Sequence, residues 1–144
     1  MHDMTITVFC LHNGVWYPSV ISGVTLFETE SETPSTQAGH ENADSVELHI
    51  MATSAQAVMT TAGSKLYFRP KAYARLHDPD GFITFDPAQD FFWVGALDDL
   101  TPIPDDEGGD SGFYSAFNEG HDGVYRISSA LWLGLIPHFE IGGR

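Results

Sequence analysis

Cysteine is almost absent from this sequence of 144 residues, which holds a single thiol at Cys10. A disulfide framework or a site of several thiolate ligands needs more than one cysteine, so neither can form within one chain. Cys10 lies in an apolar run, where a lone cysteine is typical of a small core residue and not of a nucleophile. The thiol content is therefore compatible with a reducing compartment.

Positive charge is also scarce, because six Lys and Arg residues stand against 20 Asp and Glu residues, for a net charge of −14. Nucleic-acid affinity depends on clustered cations, so we expect no sequence-specific nucleic-acid binding. Residues 1–64 hold no cation, twelve acids lie between Asp78 and Asp122, and four cations cluster at Lys65, Arg69, Lys71 and Arg75. This pattern indicates either a solvated surface with one basic strip or a dipolar subunit that docks on a basic partner or on its own copies.

Long hydrophobic runs are missing as well. No apolar stretch approaches the roughly 18 residues that a membrane span requires. The opening Met1-His2-Asp3 lacks the basic segment that begins a signal peptide. We therefore expect no membrane association and synthesis in the cytoplasm.

The first 30 residues have the pattern of a β-hairpin. Residues 4–11 alternate and then turn apolar, and Asn13-Gly14 is a strong signal for a two-residue turn because both residues tolerate positive φ. A long return strand from Val15 to Glu30 follows. Pro18 lacks a backbone donor, which places it at an edge or bulge, and Gly23 indicates a bend.

The rest of the chain alternates between short strands and turn-rich segments, which suits one domain over 1–144. Further strands are predicted at 44–52, 66–68, 82–85, 90–96, 123–133 and 137–141. One or two helical turns are predicted at 70–76, a turn at 78–81, and a short helix at 111–118. Loops are predicted at 53–63 and, at greater length, near 30–42 and 98–112, where no fixed helix or strand is expected. The sequence therefore predicts a mainly β fold, a small antiparallel barrel or sandwich with long loops and at most one or two short helices.

No catalytic motif has the right spacing. His40-Glu41 begins like a zinc-protease helix, but the second histidine four residues on is missing. A Gly-x-Ser-x-Gly elbow and a phosphate-binding glycine loop are also absent. We therefore expect a protein that is not an enzyme, with no catalytic residue and no cofactor-binding residue.

Two segments contain residues that could bind a metal ion, and for both the sequence favours solvent-exposed residues without a metal. The acidic run at 105–110 offers oxygen ligands for Ca²⁺, but Ala116 stands where an EF-hand has its twelfth-position acid, so a solvated loop is favoured. His49 follows Glu47 by two residues on the polar face of a strand, where the pair either binds a metal or simply faces solvent. We expect no metal ligand and no cofactor.

Several short motifs occur in order along most of the chain, namely Thr5–Phe9, Val15–Val24, Asn42–Asp44, Phe68–Tyr73, Asp90–Gly95, Tyr125–Ser129 and Pro137–Arg144. Together they resemble a family of small tailed-phage and prophage proteins encoded near the capsid gene. That family begins with a TVF strand and a WY return strand, has a central NAD segment, and ends on a PH motif and two glycines. The 30–42 loop and the 105–110 insertion have no counterpart in it.

The resemblance implies a minor virion protein of the head–tail joining region, of the head-closure, neck or connector type. Its partners would be portal or adaptor, neck or tail subunits and copies of itself in a ring, with the virion as its location. The closing segment 142–144 is either a frayed terminus or a short tail that orders on assembly. A tail, baseplate or capsid-decoration protein is the alternative, and a metal-stabilised enzyme or ligand-binding domain using Asp105, Asp106 and Asp110 is a further one. Ring stoichiometry, neighbouring subunits and position within the virion stay open.

Overall fold

A computed structural model of the chain describes residues 3–28 and 45–144. The predicted loop at 30–42, His40-Glu41 and the Asn42–Asp44 motif lie outside the described residues. In chain order the elements are β1 (Met4–His12), β2 (Val15–Glu28), β3 (Val46–Met51), β4 (Ala57–Thr60), β5 (Gly63–Tyr67), α1 (Pro70–Ala74), β6 (Phe82–Ile83), β7 (Phe91–Trp93), β8 (Ile103–Pro104), a 3₁₀ helix (Asp105–Gly108), α2 (Phe113–Gly120), β9 (Val124–Leu133) and β10 (His138–Gly143). Across these two ranges, no helix is long and apolar enough to cross a membrane.

Six antiparallel strands close into a barrel in the order β1-β7-β9-β10-β3-β2, and β2 returns to pair with β1. The two-residue β8 pairs with the first residues of β2. Closure leaves none of the six strands as a continuous open edge, which removes a common route to aggregation. The prediction of a mainly β fold with at most two short helices is confirmed, and of the two predicted architectures the barrel is observed.

The long strand β2 serves two neighbours because it bends at Gly23. Residues up to Val24 pair with β1, and Thr25–Glu28 pair with β3. The β1–β2 register shifts between Met4 and Ile6, and Gly23 has φ of 74°, a value that favours glycine. The hairpin turn also matches its prediction, since Asn13 and Gly14 have φ of 50° and 77°.

Alternation along β1 divides the apolar residues between two clusters. Ile6, Val8 and Cys10 belong to the main core inside the barrel, whereas Phe9 points to a second cluster with Phe91. Buried side chains of this kind each stabilise the fold by about 1.5–3 kcal/mol. Cys10 is a buried free thiol, as its apolar context predicts.

The strands β4, β5 and β6 form a small second sheet that is continuous with the barrel core. Val58 and Ile83 from this sheet, together with Tyr73 from α1, pack in the same cluster as the barrel interior. The prediction of a loop over 53–63 is wrong, because Ala57–Thr60 form a strand that pairs with residues 63–66. β4 has only four residues, but its pairing with β5 and the full burial of Val58 stabilise it.

The predicted structureless loop at 98–112 contains regular structure, so that prediction is also wrong. Ile103 pairs with Trp16 to make β8, and the 3₁₀ helix follows directly. The helix α2 then covers the second cluster, with Phe113 and Phe117 against Phe9. The short helix predicted nearby at 111–118 is therefore present, shifted by two residues.

The closing glycines are part of the sheet. Gly142 and Gly143 are buried in β10 between β3 and β9, and the Arg144 N–H donates to the Arg126 carbonyl at 3.0 Å. A side chain at position 143 would meet the Phe92 ring at 2.8 Å. Both interpretations of this segment, a frayed terminus and an exposed tail that orders on assembly, are therefore wrong, because Gly142 and Gly143 are paired in the sheet. Glycine is needed at position 143 because the strand packs closely against Phe92.

Candidate functional site

The outward faces of β3 and β10 place two histidines and two glutamates side by side. Along β3, Val46, Leu48 and Ile50 point into the core, so Glu47 and His49 point outward. On β10, Phe139 and Ile141 are buried and His138 and Glu140 alternate with them. The antiparallel register sets His49 directly opposite Glu140. We call Glu47, His49, His138 and Glu140 the His–Glu cluster.

The polar atoms of the His–Glu cluster lie within hydrogen-bonding or near-contact distance. The His49 Nε2 is 2.7 Å from the Glu47 Oε2 and 3.6 Å from the Glu140 Oε2. The His138 Nε2 is 3.0 Å from the same Glu140 oxygen. One ligand atom each from His49, His138 and Glu140 falls within 4.8 Å of the others, and within the described residues this is the one group of three that is close enough to hold a metal ion.

The backbone fixes the orientation of the His138 ring. Its Nδ1 lies 2.6 Å from the Ile136 carbonyl oxygen, which only accepts, so Nδ1 carries the proton and donates. The Nε2 then faces the Glu140 carboxylate and needs a proton or a cation between the two atoms. Donation to the Ile136 carbonyl and the hydrogen bond to Glu140 accordingly raise the pKa of His138 above its ordinary value.

Within the described ranges, no lysine or arginine forms an ion pair with the two carboxylates of the cluster. Among residues 3–28 and 45–144, the three close pairs of opposite charge all join its histidines to its glutamates. A neutral pair of histidines would leave two negative charges next to each other, which is unfavourable. The described surroundings therefore call for positive charge at this position.

Exposed apolar side chains surround the cluster. Phe27 packs edge-on against the His49 ring at 4.8 Å, Met51 pairs with His138, and Leu131 pairs with Glu140. In the turn between β9 and β10, Leu135 is 97% and Ile136 is 65% exposed. We call these five residues the apolar rim. Apolar groups gathered at one place on a surface indicate an interaction site.

The acidic run at 105–110 is organised differently from a cation site. The Asp105 Oδ1 accepts from the Trp16 indole N–H at 2.8 Å and from the Phe113 backbone N–H at 3.0 Å, which ties α2 to the barrel. Asp106 and Asp110 are exposed. In the described part of the chain, these three acids do not come together as a group of metal ligands.

A second polar group is buried inside the barrel. Asp90 is 1% exposed, and its two carboxyl oxygens accept from the backbone N–H groups of Leu11 and Asp86, each at 3.0 Å. Burial raises the pKa of Asp90 to about 8. The Cys10 thiol donates to the Thr84 carbonyl at 3.2 Å, and burial likewise raises its pKa well above the ordinary value. Both groups are buried, and their hydrogen bonds connect β1 to residues Thr84 and Asp90.

The sequence identified half of the cluster. Glu47 and His49 stood out by their spacing of two along a strand, but His138 and Glu140 were not paired with them. The same spacing of two could have identified His138 and Glu140 from the sequence, since these residues also alternate with apolar ones along a strand. The register between β3 and β10, set by residues about 90 positions apart, is what joins the two pairs.

The chain belongs to a family of unknown function, DUF6751, whose family model matches residues 1–144. Neither the curated proteins nor the solved structures contain a match to it.

Proposed function

We propose that the protein is a structural subunit of a tailed-phage virion, a head–tail joining component of the head-closure, neck or connector type. It acts through contacts with portal or adaptor, neck or tail subunits and with its own copies, and it carries out no chemistry. The motifs that resemble small phage proteins support the phage origin. The apolar rim is the observation that carries the contact function.

The rim suits a protein interface because its residues have no role in the core. Leu135 and Ile136 lie in the turn that leads into β10, and their exposure costs free energy in water that burial against a partner regains. Met51 and Leu131, at neighbouring strand positions, belong to the same apolar rim. Subunit contacts commonly centre on such apolar groups, with polar residues around them.

Charge supplies a second and different patch. Arg69, Lys71 and Arg75 are exposed on and beside α1, and none of them forms an ion pair with a carboxylate in the described ranges. Ring closure uses two unlike surfaces on each subunit, one to meet each neighbour. An apolar patch and a basic patch on an acidic protein meet that requirement.

The first experiment asks whether the protein is part of a particle. Particles would be induced from a strain that carries the gene, purified, and labelled with antibodies against this chain for electron microscopy. We expect label at the head–tail junction. Label on the tail, baseplate or capsid surface would establish the alternative virion role, and purified particles without the protein would overturn the proposal.

The second experiment tests the rim directly. Replacing Leu135 and Ile136 by serine should abolish assembly of the subunit into particles, while the free energy of unfolding stays within about 0.5 kcal/mol of wild type because both side chains are exposed. Met59→Ser, which changes a residue about as exposed as Ile136 on the small second sheet, is the matched control and should assemble normally. Normal assembly of the Leu135/Ile136 variant would remove the rim from the interface.

A further inference from the structure

We propose that His49, His138 and Glu140 bind a Zn²⁺ ion on the outer wall of the barrel, with the fourth position taken by Glu47 or by water. This inference rests on the geometry of the His–Glu cluster and is independent of the virion role. It departs from the expectation, drawn from the sequence, that the chain has no metal ligand.

The distances match a tetrahedral site. Zinc lies about 2.0–2.2 Å from imidazole nitrogen and carboxylate oxygen, so tetrahedral ligand atoms lie about 3.3 Å from each other. The Glu140 Oε2 is 3.6 Å from the His49 Nε2 and 3.0 Å from the His138 Nε2, values on either side of that spacing. Because the three ligand atoms lie within 4.8 Å of one another, small side-chain rotations are sufficient to bring them around one ion.

The ligands are also held in place before the ion arrives. Donation from the His138 Nδ1 to the Ile136 carbonyl leaves the Nε2 lone pair available, and zinc-binding histidines are usually oriented by such a bond. The His49 ring is packed against Phe27, and its centroid lies 5.3 Å from that of His138. The β3–β10 ladder runs over six residue pairs and fixes the spacing of the two strands.

The donor set selects the metal. Two imidazoles with one carboxylate suit zinc and other late transition metals, whereas Ca²⁺ and Mg²⁺ prefer oxygen ligands alone. A divalent ion would also neutralise Glu47 and Glu140, which have no lysine or arginine partner in the described ranges. The competing explanation for the cluster is that protonated histidines are hydrogen-bonded to the glutamates without a metal. Metal titration distinguishes this arrangement from a zinc site.

The test uses the full chain, first stripped of metal with a chelator and then titrated with Zn²⁺ in a calorimeter. We expect one equivalent to bind and the melting temperature to rise with Zn²⁺, since a ligand that binds only the folded state stabilises it. Titration with Co²⁺ should give the intense visible absorption of a tetrahedral site. Ca²⁺ should cause no shift in melting temperature.

Three single variants, His49→Gln, His138→Gln and Glu140→Gln, should each weaken Zn²⁺ binding at least as much as loss of an outer-shell partner, which costs about 10–100-fold. Glu47→Gln should weaken binding in the same range if Glu47 is the fourth ligand and leave it unchanged if water is. The matched control is His77→Gln, an exposed histidine outside the cluster, which should bind as wild type does. All variants would be compared by melting without metal, so that a folding defect is recognised.

Two results would overturn the inference. One is the absence of stoichiometric Zn²⁺ binding by the wild-type chain. The other is wild-type affinity in a His49→Gln/His138→Gln double variant that melts normally without metal, because the bound ion would then lie elsewhere.

Discussion

The buried carboxyl of Asp90 makes the stability of this protein depend on pH in an unusual direction. Burial raises its pKa in the folded state to about 8, against an ordinary value of 3.8. Between those two values the unfolded chain has lost the proton and the folded chain retains it. Stability therefore falls as pH rises from about 4 to 8 and becomes level above the folded-state pKa. Most carboxylates in proteins have the opposite effect, because partners lower their pKa in the folded state.

The size of the effect follows from the shift. A change of about four pKa units, at 1.36 kcal/mol per unit, corresponds to at most about 6 kcal/mol over the whole interval. That is comparable with the total stability of an ordinary domain, about 5–15 kcal/mol. From pH 5.5 to 8 the expected loss is about 3 kcal/mol. This range stays clear of the sequence pI of about 4.5, where the protein would precipitate most readily.

The assay is chemical denaturation of wild type and Asp90→Asn across that pH range. Asparagine does not titrate. Its NH₂ group would face one of the two backbone N–H donors, from Leu11 or Asp86, and two donors cannot bond to each other. This mismatch should lower the free energy of unfolding by about 1–3 kcal/mol at every pH. At pH 5.5 the wild type should have the higher free energy of unfolding. That difference should fall by about 3 kcal/mol by pH 8, which is enough to cancel or reverse it. All other acids are common to both chains, so the difference isolates Asp90. A difference that does not change with pH would show that Asp90 ionises at an ordinary pKa, and the burial argument would be wrong.

Two further predictions concern the packing around the barrel. Gly143→Ala should cost about 1–3 kcal/mol by overpacking, since its Cβ would lie 2.8 Å from Phe92, whereas Gly120→Ala, with no atom within 4 Å, should not destabilise in the same denaturant melt. Asp105→Ala should lower the free energy of unfolding by more than about 2 kcal/mol and expose Trp16 to solvent. The substitution removes the carboxylate that accepts hydrogen bonds from the Trp16 indole and the Phe113 backbone. The exposed neighbour variant Asp106→Ala should leave both unfolding and tryptophan fluorescence unchanged, and an equal effect of the two would contradict the assigned role of Asp105.

Local signals in the sequence were sufficient for the elements whose stability is itself local. The Asn13-Gly14 turn needs positive φ at both residues, and those residue types announce it. The strand β3 was recognised because Val46, Leu48 and Ile50 alternate with polar residues and one face is buried. Gly23 was expected to bend β2, and it does so where the strand leaves β1 for β3.

The elements that were missed depend on distant partners. β8 has two residues and exists because Val15 and Trp16, nearly 90 residues earlier, pair with it. β4 has only four residues and gains its stability from β5 and the burial of Val58. The hydrophobic pattern along the chain does not predict such pairings, because these strands are stabilised by contacts with segments distant in sequence.

The same limit applies to the His–Glu cluster, and it explains why the cluster is separable from the fold. On β10, the inward-pointing Phe139 and Ile141 belong to the core, while His138 and Glu140 point outward and are half-buried. Period-two alternation thus places folding and recognition on opposite faces of one strand. A sequence can keep the inward positions apolar and vary the outward ones at little cost in stability. Two histidines and two glutamates at the outward positions of adjacent strands, inside an apolar rim, are therefore not required by the barrel. The Zn²⁺ titration decides whether these side chains bind a metal or bond only to one another.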